Sequence, residues 1–352
     1  MRILVINNSN LTGALNQSLG VAKAIEEDSE VVVATIKIRR IWKIIKIFKI
    51  LLSNSRNART RMPWRFFFST TERFDRQPDV IISHLGSSEH ASIFLARYWS
   101  IPNIYVGTPR HYPWSFFAMI IDSQNDSEAR GPNLLSLESV PSHILPAEVE
   151  RNGTRLRSEV GAADKAPIWC CLVGGDCAGY RYSEADWEAM ARFMAECATE
   201  LGVAWVISSS RRTGRTAESI LRYHLDGAAW ILATSWHHTG QTRRVSALIG
   251  AATSCLVTEE SLSMISDCVN ANRPVFTWGP AHGAANNHQC SNAKRIRDFL
   301  FRLEAKRRIV RLPLLHDVSV NTVSTSACEA IPIERRWHRL VKAKARELGI
   351  VQ

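Results

Sequence analysis

The chain holds 352 residues, 45% hydrophobic, 22% charged and 8% aromatic, with 18 Gly and 13 Pro, proportions that exclude a disordered, collagen-like or low-complexity protein. That length exceeds one ordinary core and suits two domains of about 150 residues each, while no apolar run reaches the roughly 20 uncharged residues that span a bilayer. The formal charge of +11 is concentrated: ten Lys and Arg and no acid lie between Val31 and Thr71, which leaves the rest of the chain nearly neutral.

The start, MRILVINNSN, has no apolar stretch of signal-peptide length and no small-residue cleavage site, so it reads as a cytoplasmic beginning. Ile3–Ile6 is a short apolar run. A helical pattern follows, with Leu15, Leu19, Ala22 and Ile25 at three- to four-residue spacing. Gly13, Asn16 and Gln17 stand at the start of that helix, read as an interdomain loop. They form neither GxGxxG nor a P-loop. Val31–Ile36 reads as the second strand.

In the basic segment, Ile41, Ile44, Ile45, Phe48, Leu51 and Leu52 fill one helical face, and Lys43, Lys46 and Lys49 lie opposite. Thirteen residues at 1.5 Å each reach about 20 Å, too short to cross a bilayer. A helix over about 38–53 of this kind, followed by Arg56, Arg59, Arg61, Trp64, Arg65 and Phe66–Phe68, is expected to lie in an anionic membrane surface. The plainer alternative is a core-facing helix with solvated lysines. Nucleic-acid binding is disfavoured, since no motif for it is present and the apolar face would have no purpose.

Strands at Val80–Ser83 and Ile104–Val106 flank a helical stretch at 88–99, and strands alternating with helices imply parallel βαβ units. ISHLGSSEH, after the first of these strands, offers His84 and Glu89 as candidates for an acid–base pair, and TPRHYPW offers His111. From about 123 to 165 the pattern breaks up and reads as a connection between domains. The expected domains are therefore 1–150 and 165–330, with a basic amphipathic helix over 331–352 that could return to the first.

The second half repeats the alternation. Ile168–Val173 ends in Gly174–Gly175, where a backbone turns sharply or approaches something closely. Ser183 then caps a long helix with acids in its first turn. The strand at 203–208 leads into Ser209, Ser210, Arg211, Arg212 and Thr213, whose guanidinium forks suit phosphate or carboxylate. The strand ending at Thr258 leads into Glu259, Glu260, Ser261, Ser263 and Met264, where a helix start with two hydroxyls would accept a phosphate and a glutamate could take ribose hydroxyls. The bland alternative is that these residues only cap and turn. The eight cysteines form no Cys-x-x-Cys pair and read as reduced, buried thiols.

Taken together, G-x-x-N-Q-x-x-G-x-A at Gly13–Ala22, SSRRTG at Ser209–Gly214 and VTEESLSMISDC with P-V at Val257–Val275 resemble the ELM family, named after plant mitochondrial fission proteins. The resemblance covers about residues 1–25 and 165–280. It implies a GT-B fold, that is, α/β with two doubly wound domains facing a cleft, and glycosyl transfer from a nucleotide-sugar. The donor would sit in the second domain, on 174–175, 209–213 and 258–264, and the acceptor on the first. Arg211 or Arg212 and the helix start would neutralise the departing nucleotide, so no metal or other cofactor is expected. The expected enzyme is a metal-independent hexosyl- or Kdo-type transferase on the inner face of a bacterial inner membrane, acting on lipopolysaccharide or a related envelope glycan. The alternative is a non-catalytic membrane scaffold that keeps the same shell.

Overall fold

The computed structural model describes residues 1–7, 12–38, 64–70, 72, 76–84, 88–123, 131–162, 167–241, 244–282, 291–312, 320–324 and 328–351. The basic helix expected over about 38–53, with Lys43, Lys46, Phe48 and Lys49, lies outside the described residues apart from its first position. The chain divides into two compact units, residues 1–143 with 333–352, and residues 144–332.

The first unit is a seven-stranded sheet. Its strands in chain order are β1 (Arg2–Asn7), β2 (Glu30–Ile38), β3 (Phe68–Thr70), β4 (Val80–His84), β5 (Asn103–Val106), β6 (Met119–Asp122) and β7 (Leu134–Ser136). Across the sheet the order is β3-β2-β1-β4-β5-β6-β7, parallel except for β3, which pairs antiparallel with β2. Helices α1 (Thr12–Ile25), α2 (Trp64–Phe67) and α3 (Ser88–Trp99) connect these strands. Because both sheet faces are covered, β1 is apolar on both: Leu4 and Ile6 pack with α3, and Ile3 and Val5 pack with α1.

The second unit carries β8 (Ile168–Leu172), β9 (Ala204–Ser208), β10 (Ile231–Ser235), β11 (Ser254–Thr258), β12 (Val275–Trp278) and β13 (Val310–Arg311). Its order is β10-β9-β8-β11-β12-β13, all parallel, the doubly wound arrangement in which the winding direction reverses between β8 and β11. The helices are α4 (Pro146–Glu159), α5 (Glu184–Leu201), α6 (Gly214–Leu225), α7 (Val245–Ala251), α8 (Leu262–Asn270), α9 (Ser291–Ala305) and α10 (Val320–Ser324), and α11 (Trp337–Glu347) closes the chain in the first unit. Along β8 the side chains alternate between two cores, Ile168, Cys170 and Leu172 on one side and Trp169 and Cys171 on the other. Cys170, Cys171, Cys197, Cys255 and Cys268 are free thiols in these cores, and burial pushes Cys171 and Cys197 up to about 12, which leaves both unreactive.

Helix α5 starts as its sequence dictates. Ser183 accepts the Asp186 N–H, Asp186 answers by accepting the Ser183 N–H at 2.6 Å, and Gly202 ends the helix at φ 63°. The segment read as a domain connection is instead largely built into the units: β7 extends the first sheet, and α4 belongs to the second unit. Asn152–Gly153, a turn signal in the sequence, sits inside α4 because the helix presses on α7 there. A Cβ on Gly153 would lie 2.1 Å from the Gly250 carbonyl carbon. The described structure also moves Gly13, Asn16 and Gln17 out of a loop and into the first two turns of α1. Helix α11 packs Trp337, Val341 and Ala345 into the core shared with α1, all three buried.

Candidate functional site

In an open α/β sheet, ligands bind at the carboxyl ends of the strands where the winding reverses. In the second unit that point lies between β8 and β11, and three turns meet there. The Gly174 N–H donates to Thr258 Oγ1 at 2.8 Å, and the Gly175 N–H donates to Glu260 Oε1 at 2.7 Å. Arg212 Nη2 donates to Ser261 Oγ at 3.1 Å and stands 3.9 Å from Glu260 Oε1. The residues around 174, 212 and 260, read separately in the sequence, are therefore one cluster.

The two glycines are required by what they touch. A Cβ on Gly174 would sit 1.7 Å from Glu260 Oε1, and one on Gly175 would sit 2.1 Å from the Arg212 carbonyl oxygen. The close approach anticipated at Gly174–Gly175 is thus to the protein's own clamp. Glu260 is its centre. Its side chain is fully buried, and it accepts from Gly175, from the Thr258 hydroxyl at 3.1 Å and from the Tyr182 hydroxyl at 2.7 Å. Burial pushes its carboxyl above the ordinary value, against the pull of the Gly175 N–H, Arg212 and Tyr182. Burial and the Glu260 charge in turn push the Tyr182 hydroxyl far up, so it remains a donor.

Glu259 is arranged differently. Arg311 Nε, from β13, donates to its Oε1 at 2.8 Å, and the Arg311 guanidinium lies over the Phe301 ring. Among the described residues its Oε2 has no hydrogen-bond partner, and Gly279 leaves room beside it, since a Cβ there would come within 3.0 Å. Helix α8 begins next to it. Among the described residues no side chain caps that helix, Ser261 receiving Arg212 instead, and its first-turn amides have no hydrogen-bond partner.

Several candidate ligands turn out to be internal braces. Ser209 donates to the buried Glu218 at 2.8 Å and accepts the His237 N–H, Ser210 donates to the Gly174 carbonyl at 3.2 Å, and Thr213 donates to the same carbonyl at 2.6 Å. Met264 points into the core, so only its backbone amide could serve a ligand. Ser263 is half-buried in the first turn of α8. Arg211 is exposed and Arg212 a third exposed, and these two remain to meet an anion. Sequence reasoning missed Tyr182, Glu218 and Arg311, which reach the cluster from other elements and carry no local signature.

In the first unit the structure does not pair His84 with Glu89. His84 Nδ1 shares a hydrogen bond with Ser18 Oγ at 2.9 Å, its Nε2 is buried without a partner among the described residues, and burial lowers its pKa to about 4. Glu89 is fully buried and braces the loop after β5. Its Oε1 accepts from the Tyr105 hydroxyl at 3.0 Å and the Arg110 N–H at 3.1 Å, and its Oε2 accepts the His111 N–H at 3.0 Å. Neither side chain reaches solvent. Asn16 and Gln17 are half-buried on α1, with no hydrogen bond from their side chains among the described residues.

The family profile for mitochondrial fission ELM1 matches residues 12–335. No curated protein sequence matches. Among solved structures, the UDP-GlcNAc 2-epimerase of Methanocaldococcus jannaschii superposes over 99% of this chain and 99% of its own, at 10% identity and a TM-score of 0.55. The same enzyme in complex with UDP-GlcNAc and UDP covers 99% of both chains at 9% identity and a TM-score of 0.51. MurG of Acinetobacter baumannii covers 100% of this chain and 99% of its own, at 9% identity and a TM-score of 0.48. At such identities the likeness is one of fold, two doubly wound α/β units of the GT-B type.

Proposed function

Since this chain belongs to the mitochondrial fission ELM1 family, we propose that it works as a GT-B glycosyltransferase, moving a sugar from a nucleotide-sugar donor to a membrane-associated envelope glycan such as lipopolysaccharide core. The second unit holds the donor and the first the acceptor. The observation that carries this reading is the set of groups gathered at the β8/β11 switch point: the Glu259 Oε2 acceptor, the first-turn amides of α8, the exposed Arg211, and Arg212, which spends one nitrogen on Ser261 and is still a third exposed. A ribose needs an acceptor for its hydroxyls and a diphosphate needs N–H donors with positive charge, and these stand beside one another here. The Thr258–Glu260–Gly175 clamp sets their spacing without itself touching the nucleotide.

As the donor's bond breaks, negative charge grows on the departing nucleotide. Arg212 and the α8 N-terminus face that charge already oriented, so no metal ion is needed for it, and transfer should withstand EDTA. UDP-, GDP- and CMP-sugars, Kdo among them, are the donors to screen, for hexosyl or Kdo transfer. One nucleotide of the panel should raise the melting temperature, because a ligand bound to the native state alone adds about 2.7 kcal/mol at one hundred times its Kd. Arg212→Ala and Glu259→Ala should abolish that response in calorimetry while the far-ultraviolet spectrum is kept. Wild-type affinity in both variants would remove the site, and no response to any nucleotide would favour the scaffold.

The acceptor reading places the protein on the cytoplasmic face of a bacterial inner membrane, seated by the basic segment with Lys43, Lys46, Phe48 and Lys49. Deletion of residues 41–52 should release it from vesicles containing anionic lipid, and retention of binding would end that part of the reading.

A further inference from the structure

The last helix of the chain carries a row of cations that the site described above does not use. Residues 333–352 hold six Lys and Arg against two Glu, and they fold with the first unit. The apolar side of α11 is committed: Trp337, Val341 and Ala345 are buried in the core shared with α1. Arg339, Lys342 and Arg346 follow at spacings of three and four. Arg335, on the 3-10 turn Ile333–Arg335, stands four residues earlier in the same row. At 100° per residue the row lies about 130° round the helix from the packed side. Arg335, Arg339 and Arg346 are exposed, and Lys342 is half-buried.

Neither acid of the segment joins the row. Glu347 is taken by Lys344 at 2.6 Å, a residue outside it, and Glu334 precedes it. Arg335, Arg339 and Lys342 form no ion pair among the described residues. Like charges three and four residues apart oppose one another on a helix, so the row is unfavourable by itself and relieved when an anionic surface faces it. The same positive field reaches His338, whose imidazole is pushed below its ordinary value by burial and then by Arg336 and Arg339.

A straight row of cations on one side of a helix fits a plane of negative charge. A single nucleic-acid strand would call for stacking aromatics, and the tryptophan of this helix is buried in the core. The first unit also contains the run from Val31 to Thr71, with ten cations, no acid and interleaved apolar residues, the composition of an interfacial membrane segment. We propose that the row Arg335, Arg339, Lys342 and Arg346 is a second contact with the anionic lipid headgroups of a bilayer, an inference that rests on the membrane seating proposed above. Because the apolar side of α11 is packed on α1, this contact works by charge and not by insertion, and salt screens it.

The test uses the full chain and vesicles of phosphatidylcholine, alone or mixed with phosphatidylglycerol, with binding read by flotation. Each cation near an anionic leaflet contributes about a fivefold change in partition, so Arg339→Gln, Lys342→Gln and Arg346→Gln together should weaken binding to the mixed vesicles by about 100-fold. The far-ultraviolet spectrum and melting temperature should be kept, and high salt should erase most of the difference between variant and wild type. Removing as many exposed charges from the second unit, by Arg155→Gln, Arg192→Gln and Arg215→Gln, should leave binding close to wild type. An α11 variant that floats like wild type, or a loss matched by the second-unit variant, would overturn the proposal. So would wild-type binding as strong to phosphatidylcholine alone, or tighter binding to duplex DNA than to the mixed vesicles. Deletion of residues 41–52 keeps the two readings apart. If the deletion releases the protein and the α11 variant stays bound, the row is overturned and the first seating stands. If the deletion stays bound and the α11 variant is released, the basic segment loses its part and the row is kept.

Discussion

Removing the Glu260 carboxylate should loosen the second unit by an amount that can be worked from its partners. Four groups face it: the Gly175 N–H at 2.7 Å, the Tyr182 hydroxyl at 2.7 Å, the Thr258 hydroxyl at 3.1 Å and the Arg212 guanidinium at 3.9 Å. In Glu260→Ala, Tyr182 has an alternative, because the Trp278 carbonyl lies 3.1 Å from its hydroxyl. The Gly175 N–H has none, and a buried donor left without a partner costs about 1–3 kcal/mol. The space vacated by the side chain adds to that cost, and relief from burying a carboxylate takes some of it back. The balance is a loss of about 3 kcal/mol. With a urea slope of about 3 kcal/mol per molar, the midpoint should fall by about 1 M. Glu260→Gln is the discriminating partner, for its amide oxygen can still accept from Gly175 while its NH2 donates to a Tyr182 hydroxyl turned toward Trp278. It should cost about 1 kcal/mol or less. The measurement is urea unfolding followed by tryptophan fluorescence. An Ala midpoint within about 0.2 M of wild type would refute the clamp, and so would a Gln variant as weak as the Ala variant.

Gly153→Ala should destabilise the second unit by about 2–3 kcal/mol, because the added methyl meets the Gly250 backbone at 2.1 Å and a backbone cannot move aside. Asn152→Ala, one residue away on the exposed side, should stay within about 0.5 kcal/mol in the same urea series. His84 makes the first unit sensitive to acid. Its pKa is lowered from 6.5 to about 4, so its contribution is complete above 6.5 and is lost as pH falls through that interval. Stability should drop by about 1.4 kcal/mol per pH unit there, about 3 kcal/mol in all. His84→Gln should remove that slope, and an unchanged slope in denaturation curves between pH 4 and 7 would show that another group is responsible.

Much of the fold was legible in local patterns. The apolar runs at Ile168–Val173 and Ser254–Thr258, the Ser183 cap and the alternation of strand with helix follow from periodicity and capping, which depend on residues a few positions apart. The patterns failed where an element was too short to show a period, as in the two residues of Val310–Arg311. They also failed where a contact reversed a local signal, as at Asn152–Gly153, whose turn character yields to the pressure of a neighbouring helix.

The sequence by itself determined two doubly wound α/β units and the three turns that carry the polar residues of the second. Only the tertiary structure decided which of those residues are spent. Glu259 and Glu260 are adjacent, alike in sequence and both buried, yet one is held by Arg311 on β13 and the other by Gly175, 85 positions away. Likewise Glu89 meets His111 rather than His84, across 22 positions. The physical reason lies in strand order. A parallel sheet seats β11 beside β8 and β5 beside β4, so partners are assigned by neighbouring strands, whereas sequence patterns report only a residue's own strand or helix.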